Sequence, residues 1–338
     1  MLSAADVEAL ARAAGFDLCG FARPEPIPAE VLGEWLAAGM CADMDWMQER
    51  ADERLDVRRL FPGARTVLSL AANYYWWDPN AEGSPISRYA RGRDYHQTMR
   101  DRLRTLRRTL RQKFPGLRDY AAVDFGPVME RVWAVRAGLG FVGRNGCLIT
   151  RDFGSWVFLA TMVLDAEVDR YNERFVPDAC GDCTLCLSAC PTGAITSDRR
   201  VDARLCLSYQ TIENEQAIPE PLRPAMRNIV FGCDVCQDVC PLNAAPKVAG
   251  SERFAPRAVA QLGARELAAL TPDEYQALIP GTPLARAKYD GLRRNAAYAL
   301  GAMRDAGARE LLQRLAEDPS DVVRDAARWA LEQLSCAR

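Results

Sequence analysis

The chain has 338 residues, of which 49% are hydrophobic and 26% charged, so it holds enough apolar material for one large domain or two to three ordinary ones. Lysine and arginine number 43 against 45 aspartate and glutamate residues, and a formal charge of -2 excludes a protein coated in positive charge for indiscriminate polyanion binding. No run reaches about 18 apolar residues and the first residues lack the pattern of a signal peptide, so we expect a cytoplasmic protein without a membrane partner.

Helices and strands alternate over the first half of the chain. The hydrophobic periodicity predicts helices at residues 2–14, 94–113 and 127–138, and strands at 16–21, 64–71, 119–124 and within 145–164. This alternation predicts an α+β or α/β domain over residues 1–172.

A cysteine-rich segment follows, at residues 173–250. Eight of the twelve cysteines lie there, and clustered thiols in a cytosolic chain indicate metal binding. The spacing Cys180-x2-Cys183-x2-Cys186-x3-Cys190-Pro191 matches the bacterial ferredoxin pattern. In that pattern the first three thiolates hold one 4Fe-4S cluster and the fourth serves the other cluster.

A second cysteine element has one ligand fewer. It reads Cys233-x2-Cys236-x3-Cys240-Pro241, and Cys206 in the intervening segment supplies the missing thiol. The crossed arrangement predicts one cluster on Cys180, Cys183, Cys186 and Cys240, and a second cluster on Cys190, Cys206, Cys233 and Cys236. Two four-cysteine zinc sites are the alternative, although zinc does not require three cysteines at successive x2 spacing or the repeated Cys-Pro endings.

The last part of the chain, residues 251–338, is rich in Ala, Leu and Arg. A pattern that begins at Arg293 recurs 31 residues later at Arg324, which predicts paired amphipathic helices of a HEAT-like kind. An ordinary C-terminal helical hairpin is the alternative. Because two copies cannot bury a solenoid core alone, we expect this tail to dock on the rest of the protein.

An acid and a glycine-rich loop mark a candidate cleft. Asp124 ends a predicted strand just before a predicted helix with Pro127 in its first turn, a position that commonly lines a cleft. A helix-capping or salt-bridged acid is the alternative for Asp124. Gly138, Gly140 and Gly143 have G-x-G-x-x-G spacing but follow a helix, which argues against a dinucleotide site. The loop could still approach a bulky cofactor closely.

Several motifs together resemble one family, the epoxyqueuosine reductases. They are the eight-cysteine pattern, Val123-Asp124-x-Gly126-Pro127-Val128-x-Glu130-Arg131, Ala137-Gly138-Leu139-Gly140-Phe141-x-Gly143-x-Asn145, Gly154-Ser155-Trp156 and Arg294-Asn295-Ala296-x-x-Ala299-Leu300. Members of this family are cobalamin-dependent iron-sulfur enzymes that complete queuosine synthesis on tRNA.

The resemblance implies an α+β fold with three parts. These are a nitroreductase-like cobalamin-binding domain, a two-cluster ferredoxin-like domain and a HEAT-like tail that contributes to tRNA binding. It also implies an oxidoreductase that reduces epoxyqueuosine to queuosine at the wobble position of tRNA. In the family, electrons from an unidentified low-potential donor pass through two 4Fe-4S clusters to cobalamin, and the enzyme is a monomer.

The resemblance further implies site residues. Asp124 is the expected proton donor, with a pKa that a partly dry cleft raises enough for the carboxyl to carry a proton at neutral pH. The implied cobalamin contacts are Arg54, Ser87, Asp124, Arg131, Asn145, Leu148, Leu159, Ser208, Cys233 and Asp234. We expect base-off cobalamin with no histidine ligand from the protein, because His96, the only histidine, is expected to be a structural or surface residue.

A basic stretch offers a candidate tRNA contact. Between Arg88 and Arg118 the chain has eleven basic residues and two acids, and several arginines recur at helical spacing. We expect Arg107, Arg108 and Asn214 to contact tRNA. The alternative for the basic residues is a solvated helix face.

Two other functions fit parts of the sequence. One is a corrinoid-dependent, dehalogenase-like reductase that acts on a small molecule, and the basic stretch and the helical tail argue against it. The other is an electron-transfer module, which leaves the glycine-rich domain without a purpose.

Overall fold

In a computed structural model, which describes residues 1–79, 83–172 and 175–335, an antiparallel sheet forms the centre of the first half. The strands are β1 (Leu18–Ala22), β2 (Thr66–Asn73), β3 (Asp119–Ala122), β4 (Gly140–Val142), β5 (Leu148–Thr150) and β6 (Val157–Leu164). Four of them form a sheet in the order β1-β2-β6-β3, and every neighbouring pair is antiparallel. The first half is therefore α+β, since an α/β domain would have a parallel sheet.

Helices cover both faces of this sheet. The helices of the first half are α1 (Ala4–Ala13), α2 (Glu30–Ala37), α3 (Ala51–Leu55), α4 (Val57–Leu60), α5 (Tyr95–Lys113) and α6 (Glu130–Arg136). On β2, Leu68 and Leu70 point into the core shared with α1 and α5, whereas Val67 and Ala71 point into the core shared with α6. Both faces of the strand are buried because successive side chains alternate between two apolar layers.

Helix α5 lies where its sequence predicts it. Asp94 is the N-cap, and its carboxylate accepts a hydrogen bond of 3.0 Å from the His96 backbone N–H. Met99, Leu103, Leu106 and Leu110 recur at helical spacing and are buried. The burial of this stripe fixes how α5 rotates, and so fixes where the polar residues of its first turn point.

Helix α6 begins later than the sequence predicts. Residues 124–129 form a non-helical turn in which Gly126 has φ 141°, and the helix starts only at Glu130. Pro127 therefore precedes the helix and does not lie in its first turn.

The glycine-rich loop forms the tight β4–β5 hairpin. A Cβ atom on Gly140 would lie 2.2 Å from the Ile149 carbonyl oxygen, and Gly138 has φ 77° with the Asn172 side chain 2.6 Å from its Cβ position. At these two positions other parts of the protein's own chain pack too closely for a side chain. The requirement for glycine therefore comes from this internal packing and not from a cofactor against the loop.

The second half contains short helices around the cysteines and longer helices near the C-terminus. They are α7 (Leu185–Ala189), α8 (Leu207–Ile212), α9 (Val235–Asp238), α10 (Ala264–Ala269), α11 (Pro272–Leu278), α12 (Lys288–Ala302), α13 (Arg309–Leu315) and α14 (Asp321–Ser335). The 31-residue repeat falls on α12 and α14, which share an apolar core with Leu207, Ile218 and Phe231 of the cysteine-rich segment. The tail thus docks on the rest of the protein through a continuous core.

Two buried polar residues of α12 anchor this docking. The fully buried Arg294 guanidinium donates hydrogen bonds to the carbonyls of Gln210, Asn214 and Gln216. Asn295 Nδ2 donates to the carbonyl oxygen of Thr211 at 2.8 Å. Side chains of the tail therefore complete the hydrogen bonding of the segment that follows Cys206.

No helix in the described ranges combines the length and the apolar character needed to cross a bilayer.

Candidate active site and cysteine centres

Asp124 lies two residues after the end of β3, in an exposed turn. Its backbone is in the left-handed region, with φ 56°, and 60% of its side chain is exposed. The turn after β3 directs the carboxylate towards the first turn of α5, where Tyr95 and His96 lie. The tertiary fold therefore joins two segments that are almost thirty positions apart in the sequence.

His96 lies between two carboxylates. Its Nδ1 is 2.7 Å from Asp94 Oδ1 and its Nε2 is 3.0 Å from Asp124 Oδ2. A neutral imidazole has one donor nitrogen and one acceptor nitrogen, so only the doubly protonated ring can donate to both carboxylates. Tyr95 adds a third contact, because its hydroxyl donates to Asp124 Oδ2 at 2.6 Å.

This arrangement reverses the expected protonation of the acid. Partial burial would raise the pKa of Asp124, but the hydrogen bonds from His96 and Tyr95 lower it below the ordinary value. Burial would lower the pKa of His96, but the hydrogen bonds to Asp124 and Asp94 raise it to about 9. At neutral pH the proton therefore resides on His96, and the expectation of a raised pKa at Asp124 is wrong in this structure.

His96, which the sequence predicts to be a structural or surface residue, lies against Asp124. Its side chain is 16% exposed and contacts the expected proton donor, which makes it part of the candidate site. Sequence reasoning missed both His96 and Tyr95 because their functional contact is with a distant segment. The sequence signal that could have indicated this site is the triplet Asp94-Tyr95-His96 at the start of a helix. Such a triplet can place a capping acid and a histidine on the same side of the helix.

A cavity of about 360 Å³ opens near Asp124. Trp46, Glu213, Arg286 and Lys288 are among the residues that line it. Arg286 forms an ion pair with Glu213 at 2.6 Å, and its charge adds to the effects that lower the pKa of Asp124. Lys288 likewise pairs with Glu215, so the cavity is lined by the Trp46 ring and by paired charges of both signs.

Arg54 holds the turn that carries Asp124. Its Nη1 donates to the Gly126 carbonyl at 3.3 Å and its Nη2 donates to the Trp46 carbonyl at 2.9 Å. Its Nε is buried and has no hydrogen-bond partner among the described residues. A bound ligand that offers an acceptor would satisfy this donor.

The first predicted set of cysteines converges on one place. A cavity of about 70 Å³ is lined by all four of its thiols together with apolar residues that include Ile149, Leu185 and Leu242. Burial, and then the neighbouring thiols of Cys180 and Cys240, raise the pKa of Cys186. The structure thus brings together Cys180, Cys183, Cys186 and Cys240.

The second predicted set also converges. Burial raises the pKa of Cys233 to about 12, and the nearby thiols of Cys206 and Cys190 add to the rise. A hydrogen bond with Cys147 and burial raise the pKa of Cys236, and Cys233 and Cys206 contribute further. Cys147, which belongs to neither set, therefore lies close to Cys236.

Neither set has the geometry of a single-ion site. In the parts of the chain that the structure describes, no group of three or more His, Cys, Asp or Glu side chains is placed to hold one metal ion.

The other residues implied as cobalamin contacts fall into small groups. Ser87 Oγ donates to Asp234 Oδ1 at 2.6 Å, and Asn145 Nδ2 lies 3.4 Å from the Cys236 carbonyl oxygen. Arg131 donates to the Gly146 carbonyl, and Leu148 and Leu159 pack in the apolar core beneath the sheet. Ser208 lies in α8, two residues after Cys206. The Ser87 and Asn145 contacts connect the first half of the chain to the cysteine-rich segment.

The expected tRNA contacts differ in how free their side chains are. Arg107 pairs with Asp119, whose side chain is only 1% exposed, so the structure gives this arginine a carboxylate partner in place of a phosphate. Asn214 Nδ2 donates to Gln210 Oε1 and its Oδ1 accepts from the Gln216 backbone, which gives its side chain a structural role. Arg108 is exposed on α5.

Comparison with known proteins identifies the family. The family model described as "Epoxyqueuosine reductase QueG, DUF1730" matches residues 54–124, and that of the "4Fe-4S double cluster binding domain" matches residues 179–243. An epoxyqueuosine reductase of Gloeobacter violaceus is 41% identical over 319 residues, which is 90% of this chain and 98% of that protein. The chain belongs to the epoxyqueuosine reductase family.

Another epoxyqueuosine reductase, from Xanthomonas campestris, is 37% identical over 98% of this chain and 96% of its own length. A solved epoxyqueuosine reductase with an epoxyqueuosine-modified tRNA-Tyr stem loop is 28% identical, with a TM-score of 0.90 over 98% of this chain and 89% of that chain. The Bacillus subtilis enzyme, 27% identical with a TM-score of 0.89, has been solved with an aspartate-bearing catalytic loop swung out of the active site. These matches favour 4Fe-4S clusters over the zinc alternative at the eight cysteines.

Proposed function

We propose that this epoxyqueuosine reductase removes the epoxide oxygen from epoxyqueuosine at the wobble position of tRNA, giving queuosine. The reaction converts an epoxide to an alkene and water, which consumes two electrons and two protons. The observation that carries the proposal is the placement of His96 between the carboxylates of Asp94 and Asp124, in a chain whose cysteine-rich segment shares a core with the tail.

Two 4Fe-4S clusters and cobalamin are the cofactors that this site would take. Two features of the site suit cobalamin. The buried Nε of Arg54 lacks a hydrogen-bond acceptor, and the aromatic rings of Phe125 and Trp46 are exposed near Asp124. The residues that would hold it are Arg54, Ser87, Arg131, Asn145, Leu148, Leu159, Ser208, Cys233 and Asp234. When bound, the clusters supply single electrons and cobalamin supplies the reducing metal centre. Both ring nitrogens of His96 face carboxylates, which supports base-off binding without a protein imidazole.

The protein's own part in the chemistry is to store and deliver a proton. His96 holds it at Nε2, 3.0 Å from Asp124 Oδ2, and the exposed Asp124 carboxyl can pass it to an oxygen in the cleft. Tyr95 keeps Asp124 Oδ2 oriented while the proton moves. Asp124 thus remains the group that contacts the substrate, with His96 as its proton source.

An anaerobic assay tests this function. The chain is reconstituted with iron, sulfide and cobalamin, supplied with a strong reductant, and given tRNA that carries epoxyqueuosine. We expect queuosine-containing tRNA, and a rate that is lost at alkaline pH, at the latest above about 9, because His96 then loses the proton it stores. Absence of queuosine from fully loaded protein would refute the proposal.

The cysteine assignment makes a separate prediction. Cys240→Ala should remove the cluster on the 180–186 loop and leave the other, so iron should fall from about eight per chain to about four. Cys41→Ala, at a thiol outside both sets, should leave iron unchanged. Iron analysis and EPR of the clusters in the same samples provide the measurement. A separate EPR spectrum of Co(II) in cobalamin-loaded protein should show no coupling to an imidazole nitrogen. Full iron content in Cys240→Ala would contradict the assignment.

We further propose that one face of α5 contacts the tRNA backbone. Arg100, Arg104 and Arg108 recur every four residues on the exposed face, and Arg100 lies 5.3 Å from the Phe125 ring, next to Asp124. These side chains therefore extend from the Asp124 turn along the helix, as phosphate contacts would require.

Replacement of Arg108 tests this face. Arg108→Ala should weaken tRNA binding and make the plot of log affinity against log salt less steep by about 0.7–0.9, the contribution of one phosphate contact. Arg107→Ala is the matched control, because its partner is Asp119 and its loss should lower stability without changing the salt slope. Equal slopes for wild type and Arg108→Ala would remove Arg108 from the interface.

A further inference from the structure

The turn that carries Asp124 has an unfavourable backbone conformation. A non-glycine residue in the left-handed region costs on the order of 1 kcal/mol and persists only where its surroundings hold it. Asp124 has φ 56°, and Gly126 two residues later has φ 141°. The Bacillus subtilis relative shows that such a loop can leave the active site in this family. Specific contacts must therefore hold the loop of residues 124–127 beside His96.

Glu130 holds the backbone of Asp124. Its Oε1 accepts a hydrogen bond of 3.0 Å from the Asp124 backbone N–H, the donor whose direction depends on the left-handed conformation. Arg54 holds the other end of the loop through the Gly126 carbonyl. Glu130 opens α6, which is packed into the core by Trp133 and Ala134, so it is a fixed point from which to hold a movable loop.

We propose that the Glu130 carboxyl is a positioning residue that latches the Asp124 loop in its inward position beside His96. This inference rests on the reductase function proposed above. Glu130 itself contacts neither substrate nor cofactor in this scheme, and it acts through the backbone of Asp124. Its loss should therefore lower turnover more than it changes tRNA binding.

The charge state of Glu130 controls the latch. The titratable or charged side chains that face Glu130 are Asp124, His96, Arg131, Tyr95 and Tyr120. Burial and the Asp124 carboxylate raise the pKa of Glu130 to about 8. Below that pH a neutral carboxyl accepts the Asp124 N–H without repulsion. Above it, a second negative charge lies beside the Asp124 carboxylate and favours the outward position of the loop.

Two substitutions separate the hydrogen bond from the charge. Glu130→Gln keeps an acceptor oxygen and cannot ionise, so kcat at pH 7 should stay within about threefold of wild type, and the alkaline fall in rate should move from about 8 to about 9, where His96 titrates. Glu130→Ala removes the acceptor and should lower kcat by about 10–100-fold, with the KM for tRNA within about twofold. Glu310→Ala, at an exposed carboxyl of α13, is the matched control.

Limited proteolysis reports the loop position without any cofactor or substrate. Phe125 is 63% exposed, and chymotrypsin should produce the 1–125 fragment several-fold faster from Glu130→Ala than from wild type or Glu130→Gln, at equal thermal stability. Cleavage of wild type should also accelerate as the pH rises through about 8, whereas that of Glu130→Gln should not. Equal cleavage of all variants, or an alkaline limb unchanged in Glu130→Gln, would overturn the latch. Inactivity of the loaded wild type on tRNA with normal pH-dependent cleavage would instead refute the reductase function alone.

Discussion

Asp124→Asn should lower single-turnover reduction of epoxyqueuosine-tRNA by about 10³-fold at pH 7. General acid catalysis by a positioned side chain contributes about 10²–10⁴-fold, and an amide cannot relay a proton from His96 to the substrate oxygen. The asparagine oxygen can still accept hydrogen bonds from Tyr95 and His96, so the site should keep its shape. Loss of the carboxylate should also lower the pKa of His96, because one of the two groups that raise it has gone.

The measurement is a single-turnover rate with enzyme in excess, together with iron content, cobalamin content and tRNA affinity. These last three should match wild type, since Asp124 lies in an exposed turn and outside both cysteine sets. Asp273→Asn, at an exposed acid in the first turn of α11, is the control and should leave the rate unchanged. A wild-type rate for Asp124→Asn would show that the proton reaches the substrate by another route.

Arg294→Ala should lower the free energy of unfolding by about 3–5 kcal/mol. The substitution leaves the carbonyls of Gln210, Asn214 and Gln216 without their donor in a buried region, and each such loss costs about 1–3 kcal/mol. It also opens a cavity where a fully buried side chain was packed. Burial lowers the pKa of Arg294 to about 10, so the guanidinium is still charged at neutral pH and its hydrogen bonds are charge-assisted.

Urea unfolding of the cluster-loaded protein measures this effect. Arg314→Ala, at an exposed position of α13, should change the free energy of unfolding by no more than about 0.5 kcal/mol. Because Arg294 holds the segment next to Cys206, Arg294→Ala should also release iron at a lower urea concentration than wild type does. Unfolding at the wild-type urea concentration would mean that the segment finds other donors.

Local features of the sequence were sufficient to predict α5 and the cysteine sets. Asp94 and the apolar stripe that starts at Met99 predict the helix to within one residue of its observed start, because capping and periodicity are properties of neighbouring residues. The x2 spacing likewise predicts that Cys180, Cys183 and Cys186 converge around the 70 Å³ cavity, since short loops leave few alternatives, whereas Cys240 was assigned from the crossed ferredoxin pattern.

Features that depend on distant residues could not be predicted. The protonation of His96 depends on Asp124 in another segment, and the partner of Arg107 lies in β3. The start of α6 was missed because Asp124 and Gly126 adopt positive φ values that periodicity does not report. In each case the deciding interaction forms only after the sheet and α5 have packed.

Helix α5 carries Tyr95 and His96 in its first turn, which we propose help to store a proton, and exposed arginines along its length, which we propose contact tRNA. Its buried stripe fixes the rotation of both groups at once, so a core substitution that tilts the helix would alter turnover and tRNA affinity together. A substitution that changes tRNA affinity without changing turnover must therefore be at a solvent-facing position of α5. Under this proposal, selection on the buried positions of α5 acts through turnover and through tRNA affinity at the same time.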